Sequence, residues 1–195
     1  MKKRMLVVLA ASAALSLVMA STGAGIAAFG AEEDWSSQEN RLELYEQLMQ
    51  ADDPEDFFMN LSPGAQTALI SVLTPTELLY RESVTDTTGQ VTAVVEGWSA
   101  DNVHVYDFST TIKWEYDGSL VTHIYFATYD PQPLVPLVFF DGIEQWWKDG
   151  GEGLYYYSKW YQGIFSMRIW EWTVWTDYVG NGLLVMGNGS YSGFR

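Results

Sequence analysis

Between residues 36 and 83 the apolar positions recur every three or four residues. From about residue 90 onward they alternate with polar ones. The first period is that of helices with one buried face, the second that of strands in a half-buried sheet. Leu42, Tyr45, Leu48 and Met49 form one helical stripe, and Ala65, Ala68, Leu69, Val72 and Leu73 form another. Ser36 with Glu39 and Thr74 with Glu77 have capping-box spacing, in which hydroxyl and carboxylate each satisfy an orphan backbone N–H. Asp53-Pro54, Ser62-Pro63 and Thr74-Pro75 each put a capping side chain before a proline suited to the first helical position. The pattern predicts three or four short helices over residues 36–83.

Beyond residue 90 the clearest signal is a hairpin centred on Asp117-Gly118, a pair suited to a type I′ turn. A two-residue loop pairs Tyr116 with Ser119. In that register Trp114 faces Val121, Ile112 faces His123, Thr110 faces Tyr125, Phe108 faces Ala127 and Tyr106 faces Tyr129. This set shares one predominantly apolar face, while Asp107, Ser109, Thr111, Lys113 and Glu115 lie on the other. An earlier strand is expected over residues 91–98. Pro131, Pro133 and Pro136 are expected to end the hairpin, with residues 134–140 as an edge segment. Residues 149–153 (Asp-Gly-Gly-Glu-Gly) read as a mobile loop. Further strands are expected over 154–161, 164–178 and 183–186, with Asn181-Gly182 as a turn. The predicted fold is mainly β with a helical N-terminal segment (α+β). The β body is an antiparallel β-sandwich or a partly closed small barrel. The polar stretch 85–89 divides a helical segment, residues 32–88, from the β body, residues 89–195.

Residues 1–31 read differently. Lys2-Lys3-Arg4 precedes a run without charge from Met5 to Ala31, rich in Leu and Val and ending in small residues before Glu32-Glu33-Asp34. That is the layout of a secretory signal peptide, with cleavage after Ala20 or after Gly30 or Ala31. The run is also long enough to be a transmembrane anchor, but its serines and glycines favour the signal. The expected location is therefore secreted, with no membrane attachment after signal removal.

The 195-residue chain has 10 Lys+Arg, 25 Asp+Glu, no cysteine and a formal charge of −15. Three of the basic residues precede Met5 and all the acidic ones follow Ala31. A chain so short of cations is not expected to bind nucleic acid or anionic lipid. Without cysteine there is no disulfide frame, thiolate nucleophile or lipid-anchoring cysteine. The 13 acidic residues between 32 and 90, against Arg41 and Arg81, read as solvated helix faces.

No nucleotide, metal or nucleophile motif is present, so no cofactor and no metal are expected. His104 and His123 read as core or rim residues held by hydrogen bonds. Glu171 between Trp170 and Trp172, with Asp177 in the same strand region, or Glu144 near Trp146 and Trp147, with Asp141 before it, are the carboxylates best placed by sequence for glycoside hydrolysis, a less favoured reading. The aromatic surplus is more distinctive, because 24 of the 30 Phe, Trp and Tyr residues follow residue 90. Strand alternation sends Tyr156, Ser158 and Trp160 to one face and Tyr155, Tyr157, Lys159 and Tyr161 to the other. Flat apolar rings with polar tips suit sugar stacking and protein contacts alike. The candidate binding residues are Tyr155, Tyr157, Trp160, Tyr161, Trp170 and Trp172, with no catalytic residue assigned.

The run Thr111-Ile112-Lys113-Trp114-Glu115-Tyr116-Asp117-Gly118-Ser119, the closing Gly187-Asn188-Gly189-Ser190-Tyr191-Ser192-Gly193 and the helix start Leu61-Ser62-Pro63-Gly64-Ala65-Gln66 resemble uncharacterised small secreted β-rich proteins of Gram-positive bacteria. The resemblance implies secretion and β architecture and carries no site. The layout is also similar to that of secreted β-sandwich bacteriocins, which are shorter and lack the helical segment. The expected function is a secreted, non-enzymatic binding module with a glycan or protein ligand. A bacteriocin-like antibacterial protein is the alternative.

Overall fold

The computed structural model describes residues 34–86 and 89–195. The expected signal peptide and its cleavage points lie outside the described residues.

Three helices come first: α1 (Gln38–Gln50), α2 (Pro54–Met59) and α3 (Pro63–Leu73). Two start as the sequence predicts. The Asp53 carboxylate accepts from Asp56 N at 2.9 Å, and the Ser62 hydroxyl accepts from Ala65 N at 3.3 Å. The first does not. Ser37 is the N-cap of α1 and its side chain makes no capping bond, while the Ser36 hydroxyl donates to Asp34.

The helical expectation fails for residues 75–83. Pro75 opens a strand, β1 (Pro75–Asp86), which pairs antiparallel with β2 (Gln90–Ser99). The Thr74 hydroxyl donates backward to Ile70 O and so finishes α3 rather than starting another helix. β1 is an edge strand, where a first-position proline costs no ladder hydrogen bond. Its Leu78, Tyr80 and Val84 oppose Gly97, Val95 and Val91 at period-two spacing. Packing against β2 overrides the capping pattern.

β2 continues into β3 (His104–Tyr116) and β4 (Val121–Pro133), giving a four-stranded sheet in the order β1-β2-β3-β4. A second sheet follows, β5 (Val138–Gly150), β6 (Tyr156–Ile169), β7 (Trp172–Met186) and β8 (Tyr191–Phe194), also in chain order. All pairs are antiparallel. The fold is a β-sandwich and does not close into a barrel. Glu82 of β1 accepts from Gly193 N of β8 at 2.6 Å, which joins one seam by a side chain without a shared ladder.

Other expectations change with the register. The β3–β4 loop is longer than a two-residue turn: Asp117 N donates to Leu120 O, and the Asp117 carboxylate accepts from Ser119 N and Leu120 N. Tyr116 therefore pairs with Val121, and two register shifts follow, so Ile112 pairs with Ala127 and Thr110 with Tyr129. His123 and Tyr125 consequently leave the core and are exposed, whereas Trp114, Ile112, Phe108 and Tyr106 are buried as expected. β4 runs on through Pro131 because it too is an edge strand. The glycine-rich stretch 149–153 is tied down: Gly153 N donates to Val121 O, and Glu152 accepts from Ile124 N. Asn181-Gly182 lies inside β7, not in a turn.

The core between the sheets has two apolar clusters. One holds Val91, Ala93, Ile112, Trp114, Val121, Leu183 and Val185. The other holds Phe108, Phe165, Met167 and Ile169 and takes in the helices through Leu44, Leu48, Leu69, Val72 and Leu73. Residues 34–86 and 89–195 belong to one compact unit, and the helices pack on the β body. Polar side chains also bond across the gap: Tyr106 donates to Asp177, Thr110 Oγ1 to Asn181 O, Trp114 Nε1 to Met186 O, Tyr161 to Ala127 O, and Asn181 Nδ2 to both Ala93 O and Phe108 O.

Candidate functional site

The six residues singled out by sequence do not form one surface. Alternation along β6 holds: Tyr157, Lys159 and Tyr161 point into the sandwich, and Tyr156, Ser158 and Trp160 point away from the other sheet. Tyr157 and Tyr161 are only 9% and 7% exposed, so these two are core residues and not part of an exposed platform. Tyr155 is 67% exposed, and Trp170 and Trp172 are 60% and 68% exposed. Tyr155 and Trp170 flank opposite ends of β6, which separates them by roughly 45 Å at strand rise. Trp170 and Trp172 sit at the β6–β7 hairpin tip, where Trp170 has φ +52°.

Trp160 belongs to a group that alternation alone does not reveal. It pairs across strands with Trp147 of β5 and with Gly182 of β7, and Gly182 in turn pairs with Phe194 of β8. The Trp147 ring lies 6.4 Å from Trp160 and 5.4 Å from Phe194, with interplanar angles of 20° and 25°. Glycines make this row of near-parallel rings fit. A Cβ on Gly180 would lie 2.9 Å from Trp160, and one on Gly182 would lie 2.7 Å from Phe194 and 2.9 Å from Trp160. The Trp160 and Phe194 rings thus lie down over the glycines of β7. Trp147 is the most exposed of the three, at 42%. Gln145 and Gln162 oppose each other two residues along on the same face, so amide donors and acceptors border the rings. A sequence signal existed: Trp147, Gly180 and Gly182 are all visible, but their alignment depends on strand pairing.

Next to this row, on the inner side of β5, the second seam between the sheets opens. A cleft of about 320 Å³ is lined by Tyr129, Ile143, Trp146, Lys159 and Tyr161. The Lys159 ammonium lies 3.6 Å from the Trp146 ring centroid and 5.0 Å from that of Tyr161. Lys159 is 9% exposed and Trp146 is 60% exposed. Burial first, and then the neighbouring Lys148, lowers the Lys159 ammonium below its ordinary pKa. Burial pushes the Tyr161 phenol up to about 12, so it stays a neutral donor, held on Ala127 O at 2.8 Å.

The carboxylates proposed for hydrolysis are not brought together. Glu144 lies at the irregularity beside Gly163, and Glu171 lies beyond Ile169 at the hairpin tip. That spacing along β6 is about 20 Å, too far for either glycosidase geometry. Asp177 is engaged by Tyr106 and Asp141 by Arg168. The cross-strand acids Glu96 and Asp107 do face each other. Each is already served: Glu96 by Arg81 and the Trp98 indole N–H, Asp107 by His104 at 2.6 Å. His104 also stacks on Trp98 at 4.3 Å, so this histidine is a rim residue held by a hydrogen bond. His123 pairs with Glu152 at 2.7 Å on the exposed surface. Among the described residues no three His, Cys, Asp or Glu side chains gather as a metal site, and no helix is long and apolar enough to cross a membrane.

These features define an antiparallel β-sandwich with a helical cap, an aromatic row on one open face and a cationic cleft at one seam. No family, curated protein or solved structure matches the chain.

Proposed function

We propose that the protein is an exported, non-enzymatic binding module that holds a glycan on the row Trp147, Trp160 and Phe194. The observation that carries this reading is a row of three near-parallel rings, two of them (Trp160 and Phe194) seated over glycines, bordered by paired glutamines. A sugar ring offers an apolar face to stack and hydroxyls around its edge, so flat rings beside amides match it on both counts. Export is supported by the Lys2-Lys3-Arg4 start and the uncharged run after it.

The test is binding of the purified mature chain to a glycan array and to insoluble peptidoglycan, with Trp147→Ala and Trp160→Ala alongside. Retention that falls at least tenfold in either variant, with the fold intact by circular dichroism, supports the reading. A blank array together with a blank pull-down overturns it.

A protein ligand is the second reading, and the hairpin tip favours it. Trp170 and Trp172 stand exposed there on a turn held at positive φ, and exposed Trp is a common anchor of protein contacts. Growth inhibition of related bacteria that is lost in Trp170→Ala and Trp172→Ala would select the antibacterial form of this reading.

A further inference from the structure

Two costs meet at the seam cleft. Lys148 and Lys159 oppose each other directly across β5 and β6, and like charges in that position destabilise a sheet. Lys159 is also buried, which penalises its charge. Among the described residues no other pair of cations faces across strands, in a chain whose formal charge is −15. Of the other described cations, Arg41, Arg81 and Arg168 pair with Asp101, Glu96 and Asp141, while Lys113 and Arg195 lie over the Tyr125 and Tyr80 rings and keep contact with water; among the described residues Lys159 is the one buried cation. Neither Lys148 nor Lys159 has a carboxylate partner among the described residues. Local violations of good packing and pairing concentrate where a site is built.

The geometry points to an anion subsite in this cleft that takes a terminal carboxylate-bearing sugar, its ring against Trp146 and its carboxylate on Lys159. The inference rests on the glycan reading above and names the substrate class. Trp146 offers an open ring face at the mouth, and the Lys159 ammonium sits behind it on a wall shared with Tyr161. A charge-assisted bond to a carboxylate is about twice as strong as a neutral one, and it is stronger still where water is scarce. The volume of about 320 Å³ holds one sugar ring and little more. The overall negative charge repels a long polyanion, which selects a single acidic residue at a chain end over a repeating acidic polymer. Trp146 and Trp147 are consecutive on β5 and oppose consecutive residues of β6. A neutral chain lying on the outer row could therefore turn its acidic end over the edge strand into the cleft.

The test compares glucuronic acid with glucose, and an oligosaccharide ending in glucuronic acid with its neutral counterpart. The chains are the wild type, Lys159→Met, Lys159→Arg and Trp146→Ala. Binding is read by calorimetry and by the NMR shift of the Lys159 ammonium. The expected result is at least tenfold tighter binding of the acidic oligosaccharide than of the neutral one. That preference is expected to vanish in Lys159→Met, return in Lys159→Arg and weaken in Trp146→Ala. Lys159→Met is expected to fold and to melt at a higher temperature, because it removes a charge the folded state disfavours, so loss of binding is not loss of structure. Equal binding of acidic and neutral sugars, unchanged in Lys159→Met, overturns the subsite while leaving the glycan reading standing. Failure of every sugar, with no shift at Lys159, overturns the subsite, and it overturns the glycan reading as well where the array and the peptidoglycan pull-down are blank.

Discussion

Arg41 and Asp101 form a two-pronged ion pair between α1 and the β2–β3 turn, Nη2 to Oδ1 at 2.6 Å and Nε to Oδ2 at 2.8 Å. Asp101 is 5% exposed, so the helical segment is held to the β body by a bond largely out of water. Arg41 hydrogen bonding holds the Asp101 carboxyl below its ordinary value of 3.8, against the opposing pull of burial. The unfolded chain therefore takes up this proton at higher pH than the folded one. The stabilisation is complete above about pH 3.8 and fades as the pH falls through the depressed value. Arg41→Ala leaves a buried carboxylate unpaired and is expected to cost on the order of 2 kcal/mol in urea unfolding at pH 7. Its stability should also decline less steeply on acidification below pH 4 than that of the wild type. An identical acid profile in the variant would show that the pair does not secure the helices.

Asn181 joins the two sheets. Its amide donates to Ala93 O at 2.9 Å and to Phe108 O at 2.7 Å, while its own backbone O accepts from the Thr110 hydroxyl at 3.2 Å. It is fully buried, and its Oδ1 has no partner among the described residues. Asn181→Leu keeps the volume and abandons two carbonyls. The expected loss is about 2 kcal/mol, read as a lower denaturation midpoint with an unchanged m-value. A neutral result would mean that these carbonyls find other donors.

Gly182 is the seat for two rings of the aromatic row. A methyl group there meets Phe194 at 2.7 Å and Trp160 at 2.9 Å, so Gly182→Ala has to lift or turn both rings. The overpacking is expected to cost about 1–3 kcal/mol and to change the near-ultraviolet dichroism of the tryptophans. Glycan retention should fall with it. An unaltered aromatic spectrum would contradict the seating of the rings.

Trp170 occupies the left-handed region at φ +52° in a two-residue hairpin loop, a conformation that glycine and asparagine adopt with little strain and bulky residues do not. Trp170→Gly is expected to stabilise the hairpin by roughly 1 kcal/mol, measured as a raised melting temperature. If the indole is retained for contact with a partner, the same variant binds that partner less well. A melting temperature that falls instead would mean that the indole contributes packing.

Much of the β body was legible from local pattern, and the limits of that legibility are physical. Alternation placed Tyr106, Phe108, Ile112 and Trp114 inside, and it separated Tyr157 and Tyr161 from Tyr156 and Trp160, because side-chain direction in a strand follows from position alone. The proline-headed starts of α2 and α3 were visible for the same reason: capping is a contact within four residues. Residues 75–83 misled because Thr74-Pro75 satisfies the local rule for a helix start while the backbone gains more by pairing with β2. Asn181-Gly182 misled in the same way. Its turn chemistry is local, but Asn181 bonds to β2 and β3 and Gly182 makes room for rings from β6 and β8. The candidate site lay almost wholly beyond the reach of pattern. Composition announced a surplus of rings, yet which of them remain outside depends on strand order, on the register of β5 against β6 and on the seam left between β4 and β5. Those are contacts between residues far apart in the chain. By itself the sequence determined a mainly β body of antiparallel strands and the inward side of β3, because alternation is local; only tertiary packing decided sandwich over barrel, turned Tyr157 and Tyr161 inward, set Trp147, Trp160 and Phe194 on one surface and put Lys159 behind Trp146.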